Sequence, residues 1–417
     1  MPGLYYEFFR ISYTNISFCK NTLKVFQFFS HTVHNRKFQN PLCPDEKAFD
    51  GKSVPHWAIK KFIIQSPFKK IYLAGLLNFY LMKLVSYLKE DHAQLALLVN
   101  GLLFDTDNLH PNLPVTMTMF LNYWEDVYPL AHSINKALVE GTNRYRAIPL
   151  EEAELLAPVP SPTSCRDAYA FRQHVATARR NRNLEMIAEF DQYPVFYFTN
   201  HNSITGPGEI ICMPDHFKKL DFELEVAIVI CKPGKNIKAS EADEYIGGYM
   251  IMNDFSARTL QMEEMKLNLG PAKGKDFATA IGPWLVTPDE LEEFKILHKE
   301  NHVGNSYNLK MTCKVNGVQV SEGNFADMDW TFAEIIERAS YGVQLFPGDV
   351  IGSGTVGTGC FLELNGTGKL NDPNYQEQWL QEGDEIEMEV EGLGILKNTI
   401  EKEESDFSIL DLKKMNP

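Results

Sequence analysis

Residues 220–227 read Leu-Asp-Phe-Glu-Leu-Glu-Val-Ala, an alternation of apolar and acidic positions. As a β-strand the segment turns Phe222, Leu224 and Val226 to one face and Asp221, Glu223 and Glu225 to the other, because successive strand side chains point to opposite sides. On a solvated face such a row of like charges means little. In an enclosed pocket, neighbouring carboxylates repel and lose hydration, so they stay ionised only beside a cation. Hard oxygen ligands of this kind suit Mg²⁺ or Ca²⁺, with Mn²⁺ also compatible.

Three more segments carry chemically useful groups. Residues 247–261 end an apolar run in Asn253-Asp254, followed by Ser256, Arg258 and Gln261. Residues 270–279, Gly-Pro-Ala-Lys-Gly-Lys-Asp-Phe-Ala-Thr, form a glycine-spaced loop that presents Lys275. In residues 166–174, Asp167 and His174 stand seven apart; in a helix they share one face, about 10 Å apart along the axis. Each has an ordinary reading when taken singly: a capping Asp254, a surface-paired Arg258, a solvated Lys275 and a structural His174.

Strands must position most of these groups, which makes the chain mostly β with interspersed helices, an α+β class. From Met82 a β-meander is expected: residues 84–88, then 95–99, then 102–104, with Asn100-Gly101 as a hairpin turn. The spacing of Met119, Leu121, Trp124, Val127 and Leu130 predicts a helix over residues 115–138. The proline-rich stretch 158–163 marks a boundary. Beyond it strands are expected at residues 220–230, 249–252, 307–320 (turning at Asn316-Gly317), 350–351, 361–364 and 385–396, with helices at 167–180 and 330–339. The organisation that follows is an atypical extension over residues 1–81, a small β-rich N-terminal domain over 82–160, and a main domain over 161–417.

Composition narrows the partners. The chain has 417 residues, 44% of them hydrophobic, and a formal charge of −15, which argues against nucleic acid or an anionic membrane as a main partner. Residues 1–81 differ sharply, at +7 against −22 for the remainder, and hold 17 of the 49 aromatics. They are read as lying outside the fold, with organelle targeting as a lesser possibility because residues 8–44 lack acidic side chains. Seven cysteines without a CxxC pair (Cys19, Cys43, Cys165, Cys212, Cys231, Cys313 and Cys360) suit a reducing compartment rather than disulfides or zinc, so a cytoplasmic protein is expected. No apolar run reaches the roughly 18 residues of a membrane span.

Taken in order, Asp167, Tyr169, His174, the Glu223/Glu225 pair, the Asn-Asp-x-Ser-Ala-Arg-x-x-Gln run, Gly274-Lys275, and the Gly-Thr and Leu-Glu-Leu segments near the C-terminus resemble the fumarylacetoacetate hydrolase family from Met82 onward. The resemblance implies a mixed β-sandwich roll and a homodimer. It also implies a divalent cation held by Asp167, Glu223, Glu225 and Asp254, with Lys275 and Thr279 at positions beside a further Mg²⁺. His174, oriented by Glu363, matches a water-activating pair; Tyr169, Tyr197, Arg258, Gln261 and Thr355 match substrate contacts. The implied activity is metal-dependent hydrolysis of a carbon–carbon bond in a 1,3-dicarbonyl acid, such as fumarylacetoacetate or an acylpyruvate. The resemblance further implies that Arg258, Gln261 and Lys275 stabilise the enolate leaving group. Decarboxylation or tautomerisation of a β-keto acid at the same site is the alternative, and a non-catalytic metal- or ligand-binding protein is a second. Where fumarylacetoacetase has Gly-Tyr-His-Gly-Arg, residues 196–202 keep only Tyr197. A GxGxxG run begins at Gly352, but the strand expected at 361–364 speaks against a dinucleotide fingerprint, which opens a helix.

Overall fold

The computed structural model describes residues 82–141 and 145–412. The expected extension over residues 1–81 lies outside the described residues. The meander forms as expected: β1 (Lys83–Lys89) pairs antiparallel with β2 (His92–Val99), and β2 with β3 (Leu102–Asp105). Asn100 and Gly101 turn at φ 52° and 77°, the left-handed pair that a two-residue hairpin requires.

The helix expected at 115–138 is two helices, α1 (Met117–Asn122) and α2 (Trp124–Val139), broken at Tyr123, whose φ −112° and ψ 23° leave the helical region. Apolar spacing reports which face is buried, here Met117, Phe120 and Leu121 followed by Val127, Ala131 and Leu138. It is silent on the dihedrals of a single residue.

A two-residue strand, β4 (Ile148–Pro149), edges the meander, followed by β5 (Ser164–Ala168) and β6 (Phe196–Thr199). β5 corrects the helix expected over 167–180: α3 starts only at Arg172 and ends at Arg180. Asp167 therefore lies on a strand and shares no helix face with His174. Sheet pairing overrode the local pattern, since β5 is bonded on both sides.

The centre is made by β7 (Leu224–Ile230), β8 (Ile246–Asp254), β9 (Thr279–Val286) and β10 (Asp349–Gly352). The sheet runs β4-β3-β2-β1-β9-β8-β7-β10-β5-β6, with Ile204–Thr205 pairing parallel to β9 as an eleventh strand among the described residues. Segments on either side of the 158–163 stretch thus share one sheet, through β1 and β9. The strand expected at 220–230 is interrupted: Leu220–Asp221 pairs with Ser256–Ala257, and β7 begins only after Phe222 and Glu223.

Both faces of the central strands are covered, which is why β7 is buried along its whole length. Val226, Ile228, Ile251 and Ile351 face a core shared with a second, five-stranded sheet through Met311, Met388 and Ile400. That sheet runs Val318–Asn324, Lys310–Val315, Glu385–Val390, Gly394–Lys402, Gly208–Cys212. On the opposite face Ala227, Val229, Met250 and Met252 pack with Phe120, Leu121 and Ala131 of α1 and α2.

Three longer helices join the frame: α4 (Arg258–Met265), α5 (Phe332–Ser340) and α6 (Phe361–Asn371). α5 is the helix expected at 330–339, with Thr331 and Glu334 forming a capping box. α6 corrects the strand expected at 361–364. Its start is capped from a distance, because the Asp221 carboxylate accepts from the backbone N–H of Phe361 (2.7 Å) and Leu362 (2.9 Å). Gly366 weakens the local helix signal, yet a Cβ there would stand 2.4 Å from Asn181 Nδ2, so glycine lets the end of α3 approach.

Candidate active site

The ends of three strands converge on one buried group of acids. Asp167 comes from β5, Glu225 from the second position of β7, Glu223 from the interruption just before it, and Asp254 from the last residue of β8. Parallel pairing sets Gly352 of β10 against Asp167, and antiparallel pairing sets Glu225 beside Met252. One carboxylate oxygen from each of Asp167, Glu223 and Glu225 lies within 4.8 Å of the other two, and all three residues are buried. Gly352 is required there: a Cβ would meet Asp167 Oδ1 at 2.6 Å.

Asp254 joins this group through Lys275, whose ammonium donates to Glu223 and, at 2.7 Å, to Asp254 Oδ2. Thr279 Oγ1 donates to Asp254 Oδ1 at 3.3 Å and the Tyr197 hydroxyl to Asp254 Oδ2 at 2.5 Å. Arg258 bridges Asp221 (Nε to Oδ2, 2.8 Å) and Glu223 (Nη2 to Oε1, 2.7 Å), and its Nη1 donates to Gln261 Oε1 at 3.0 Å.

Asp221, Glu223 and Asp254 therefore have cationic partners. Asp167 and Glu225 form no ion pair with a lysine or arginine among the described residues. Their oxygens share the backbone N–H of Gly354, at 3.0 Å and 3.1 Å, and Glu225 also accepts from Thr355 Oγ1 at 3.3 Å.

The electrostatic consequences differ along the group. Burial, then the Asp254 charge, lifts the Asp167 carboxyl to about 8. Glu225 is raised well above the carboxylate range by burial and by Asp167. Glu223 is equally buried, but Lys275 and Arg258 outweigh that effect and hold it at about 2. A buried set of hard oxygens with an uncompensated pair is the donor chemistry that Mg²⁺ or Ca²⁺ takes, so the residues present fit a divalent cation.

The second unit is a pair of helices. His174, in the first turn of α3, places Nδ1 2.8 Å from Glu363 Oε2 in the first turn of α6. Both side chains are buried, and Asn181 Nδ2 ties α3 to the Glu363 carbonyl at 2.9 Å. Tyr169 is half-buried and meets the His174 ring edge-to-face at 5.9 Å between centroids. His174 also lies within electrostatic reach of Glu223.

All the residues singled out in the sequence are thus accounted for: one group around the acids and one pair at the helices. Two contributors were missed. Asp221 anchors both Arg258 and the start of α6, although its position on the acidic face of the 220–227 alternation was visible. The Gly352–Gly357 run was set aside for an incorrect reason, since it follows β10 and does precede a helix. What excludes the fingerprint is that its backbone is turned to acids: Gly354 N–H is held by Asp167 and Glu225, and at φ 80° a Cβ on Gly354 would lie 2.5 Å from Ala168 O.

Comparison with known proteins places this geometry. The description "Fumarylacetoacetate (FAA) hydrolase C-terminal" matches residues 163–401. The chain is 30% identical over 325 residues to the mitochondrial oxaloacetate tautomerase of Rattus norvegicus, covering 76% of this chain and 91% of the relative. It is 30% identical over 290 residues to a mitochondrial oxaloacetate tautomerase of Homo sapiens, covering 70% and 81%. Among solved structures, fumarylacetoacetate hydrolase from Exiguobacterium antarcticum has a TM-score of 0.56 at 22% identity, covering 77% of this chain and all of that one. The 2-hydroxyhepta-2,4-diene-1,7-dioate isomerase of Mycobacterium marinum has a TM-score of 0.52 at 22% identity, covering 78% and 100%. With the matched region spanning more than half its length and relatives at 30% identity aligned over most of theirs, this chain belongs to the fumarylacetoacetate hydrolase family.

Proposed function

We propose that the chain is a divalent-metal-dependent enzyme that moves a proton at the carbon beside a carbonyl, interconverting the keto and enol forms of a small β-keto acid of the oxaloacetate type. The observation that carries this reading is the proximity of an over-acidic buried cluster to a buried His–Glu pair. The likeness to oxaloacetate tautomerases supports the substrate class.

Asp167, Glu223, Glu225 and Asp254 would hold the ion. When bound, Mg²⁺ or Ca²⁺ supplies Lewis-acid polarisation of the substrate carbonyl. Glu363 accepts from His174 Nδ1–H, which leaves Nε2 as the basic nitrogen. Nε2 takes the proton from carbon and delivers it to the carbonyl oxygen, which becomes the enol hydroxyl, so no atom is gained or lost and the reaction is a net isomerisation. Lys275 and Arg258 keep Glu223 ionised and in place. Gln261 spends its carbonyl oxygen on Arg258, which leaves its amide N–H groups for a substrate oxygen. Tyr169, Tyr197 and Thr355 border the acids and the histidine, and Thr279 steadies Asp254.

Hydrolysis of a carbon–carbon bond in a 1,3-dicarbonyl acid is the second reading. A carboxylate-oriented histidine is the arrangement that water activation needs, and this favours it. Among the described residues no helix is long and apolar enough to cross a membrane, and the five described cysteines are free, which suits a reducing compartment. We carry the homodimer as part of the proposal, checked by light scattering.

The test offers oxaloacetate, an acylpyruvate and fumarylacetoacetate to the full chain, with Mg²⁺ and then with EDTA. Metal-dependent keto–enol exchange of oxaloacetate, lost in His174→Ala, is expected. Cleavage of the acylpyruvate instead selects the hydrolase, pyruvate and CO₂ from oxaloacetate select a decarboxylase, and no metal-dependent turnover on any of them favours binding alone.

A further inference from the structure

Beside the oxygen cluster lies a second group of different chemistry. Single ligand atoms of His174, Cys360 and Glu363 all fall within 4.8 Å of one another, and all three residues are buried. Two come from the start of one helix: Cys360 immediately precedes α6 and Glu363 lies in its first turn, three positions on. The third comes from α3, which glycine at 366 and the Asn181 bond to the Glu363 carbonyl hold close. Cys360 forms no disulfide.

We propose that His174, Cys360 and Glu363 form an inhibitory site for a soft or borderline divalent cation, Zn²⁺ above all, distinct from the oxygen-donor cluster. A nitrogen, a thiolate and a carboxylate oxygen are three of the ligand types zinc uses, and a water completes the tetrahedron. In such a tetrahedron ligand atoms stand about 3.5 Å apart, so donors already within 4.8 Å need only a small inward movement. The chemistry also sorts the two ions. Asp167, Glu223 and Glu225 offer oxygen alone and suit Mg²⁺ or Ca²⁺, whereas a thiolate and an imidazole favour zinc.

Binding balances simply. Zn²⁺ displaces the Cys360 thiol proton, which leaves to solvent, and the His174 proton shifts from Nδ1 to Nε2 so that Nδ1, beside Glu363, can ligate; the zinc–sulfur and zinc–nitrogen bonds form and no electron is transferred. With Nδ1 on zinc and Nε2 protonated, the imidazole has no lone pair left to accept a proton, so turnover would stop whether or not the oxygen cluster holds its own ion. The loss of turnover rests on the proposed role of His174, but the binding does not.

The test uses the full chain in excess Mg²⁺. Zn²⁺ is expected to abolish turnover at one ion per chain. Co²⁺ in its place should give a thiolate-to-cobalt charge-transfer absorption. Cys360→Ala should keep its basal turnover, lose that absorption and weaken zinc inhibition by about tenfold or more. Cys360→Ser, closer in size, serves if the alanine variant does not fold. Zinc inhibition unchanged in these variants, or no charge-transfer band in the native chain, overturns the site. A band in a chain inactive on every keto acid sustains the zinc site and removes only the proposed function.

Discussion

The acid cluster and the histidine pair are neighbours built on opposite principles. The cluster stands on strand ends locked by sheet pairing, and it gathers more negative charge than Arg258 and Lys275 neutralise. The pair stands on two helix starts and is matched, one imidazole to one carboxylate at 2.8 Å. A cluster of that kind is unfavourable on its own and becomes favourable when a cation arrives. A matched pair is complete without one. Turnover and stability should therefore separate in one unit and not in the other.

The sharpest way to break this contrast is Glu225→Gln. It removes an acid that burial and Asp167 already hold protonated far above the carboxylate range. With Mg²⁺ present, kcat should fall on the order of a thousandfold, while the metal-free variant should melt no lower than the native chain and up to a few degrees higher. A metal-free variant that melts well below the native chain would contradict the over-acidic reading.

Lys275→Met tests the same balance from the cationic side. Glu223 and Asp254 lose their shared ammonium, so the metal-free protein should lose about 3 kcal/mol in urea unfolding. Mg²⁺ should recover part of that loss.

His174→Ala sharpens the other half of the comparison. Turnover should drop on the order of a hundredfold, and calorimetric Mg²⁺ affinity should stay within a factor of about two, because the histidine belongs to the matched pair and is outside the cluster. A large loss of Mg²⁺ affinity would merge the two units.

The smallest effect is expected beneath the loop that carries Lys275. His216 stacks on Phe277 at 4.0 Å between ring centroids and accepts from Met213 N–H at 3.2 Å. Burial, then Lys273, lowers its pKa from 6.5 to about 4. The unfolded chain binds this proton below about pH 6.5 and the folded chain does not, so stability is intact above pH 6.5 and declines as pH falls from there toward 4. His216→Gln should flatten that decline in urea unfolding measured from pH 7 to 4.5.

Much of the strand frame was legible: the meander carries apolar runs of strand length, and the Asn100-Gly101 and Asn316-Gly317 pairs mark hairpin turns because both residues of each take positive φ. Two of the misreadings have one cause. Residues 167–168 and 361–364 took their conformation from partners far away in sequence, β10 pairing with Asp167 and Asp221 capping Phe361. A local pattern carries no trace of a distant partner. The site residues were found because acids, a lysine, an arginine and a histidine recur in a family's order. That Asp167 and Glu225 go without a cationic side chain is a fact of three-dimensional placement that no spacing reveals.

The proposed chemistry turns on one divalent ion held among these buried acids. Titrating the metal-free full chain with Mg²⁺, and in parallel with Ca²⁺, by calorimetry in two buffers of different ionisation enthalpy tests it directly. One saturable ion per chain is expected, with protons released as Asp167 and Glu225 give theirs up, and a raised Tm. No saturable binding, together with keto-acid turnover that survives exhaustive chelation, would contradict it.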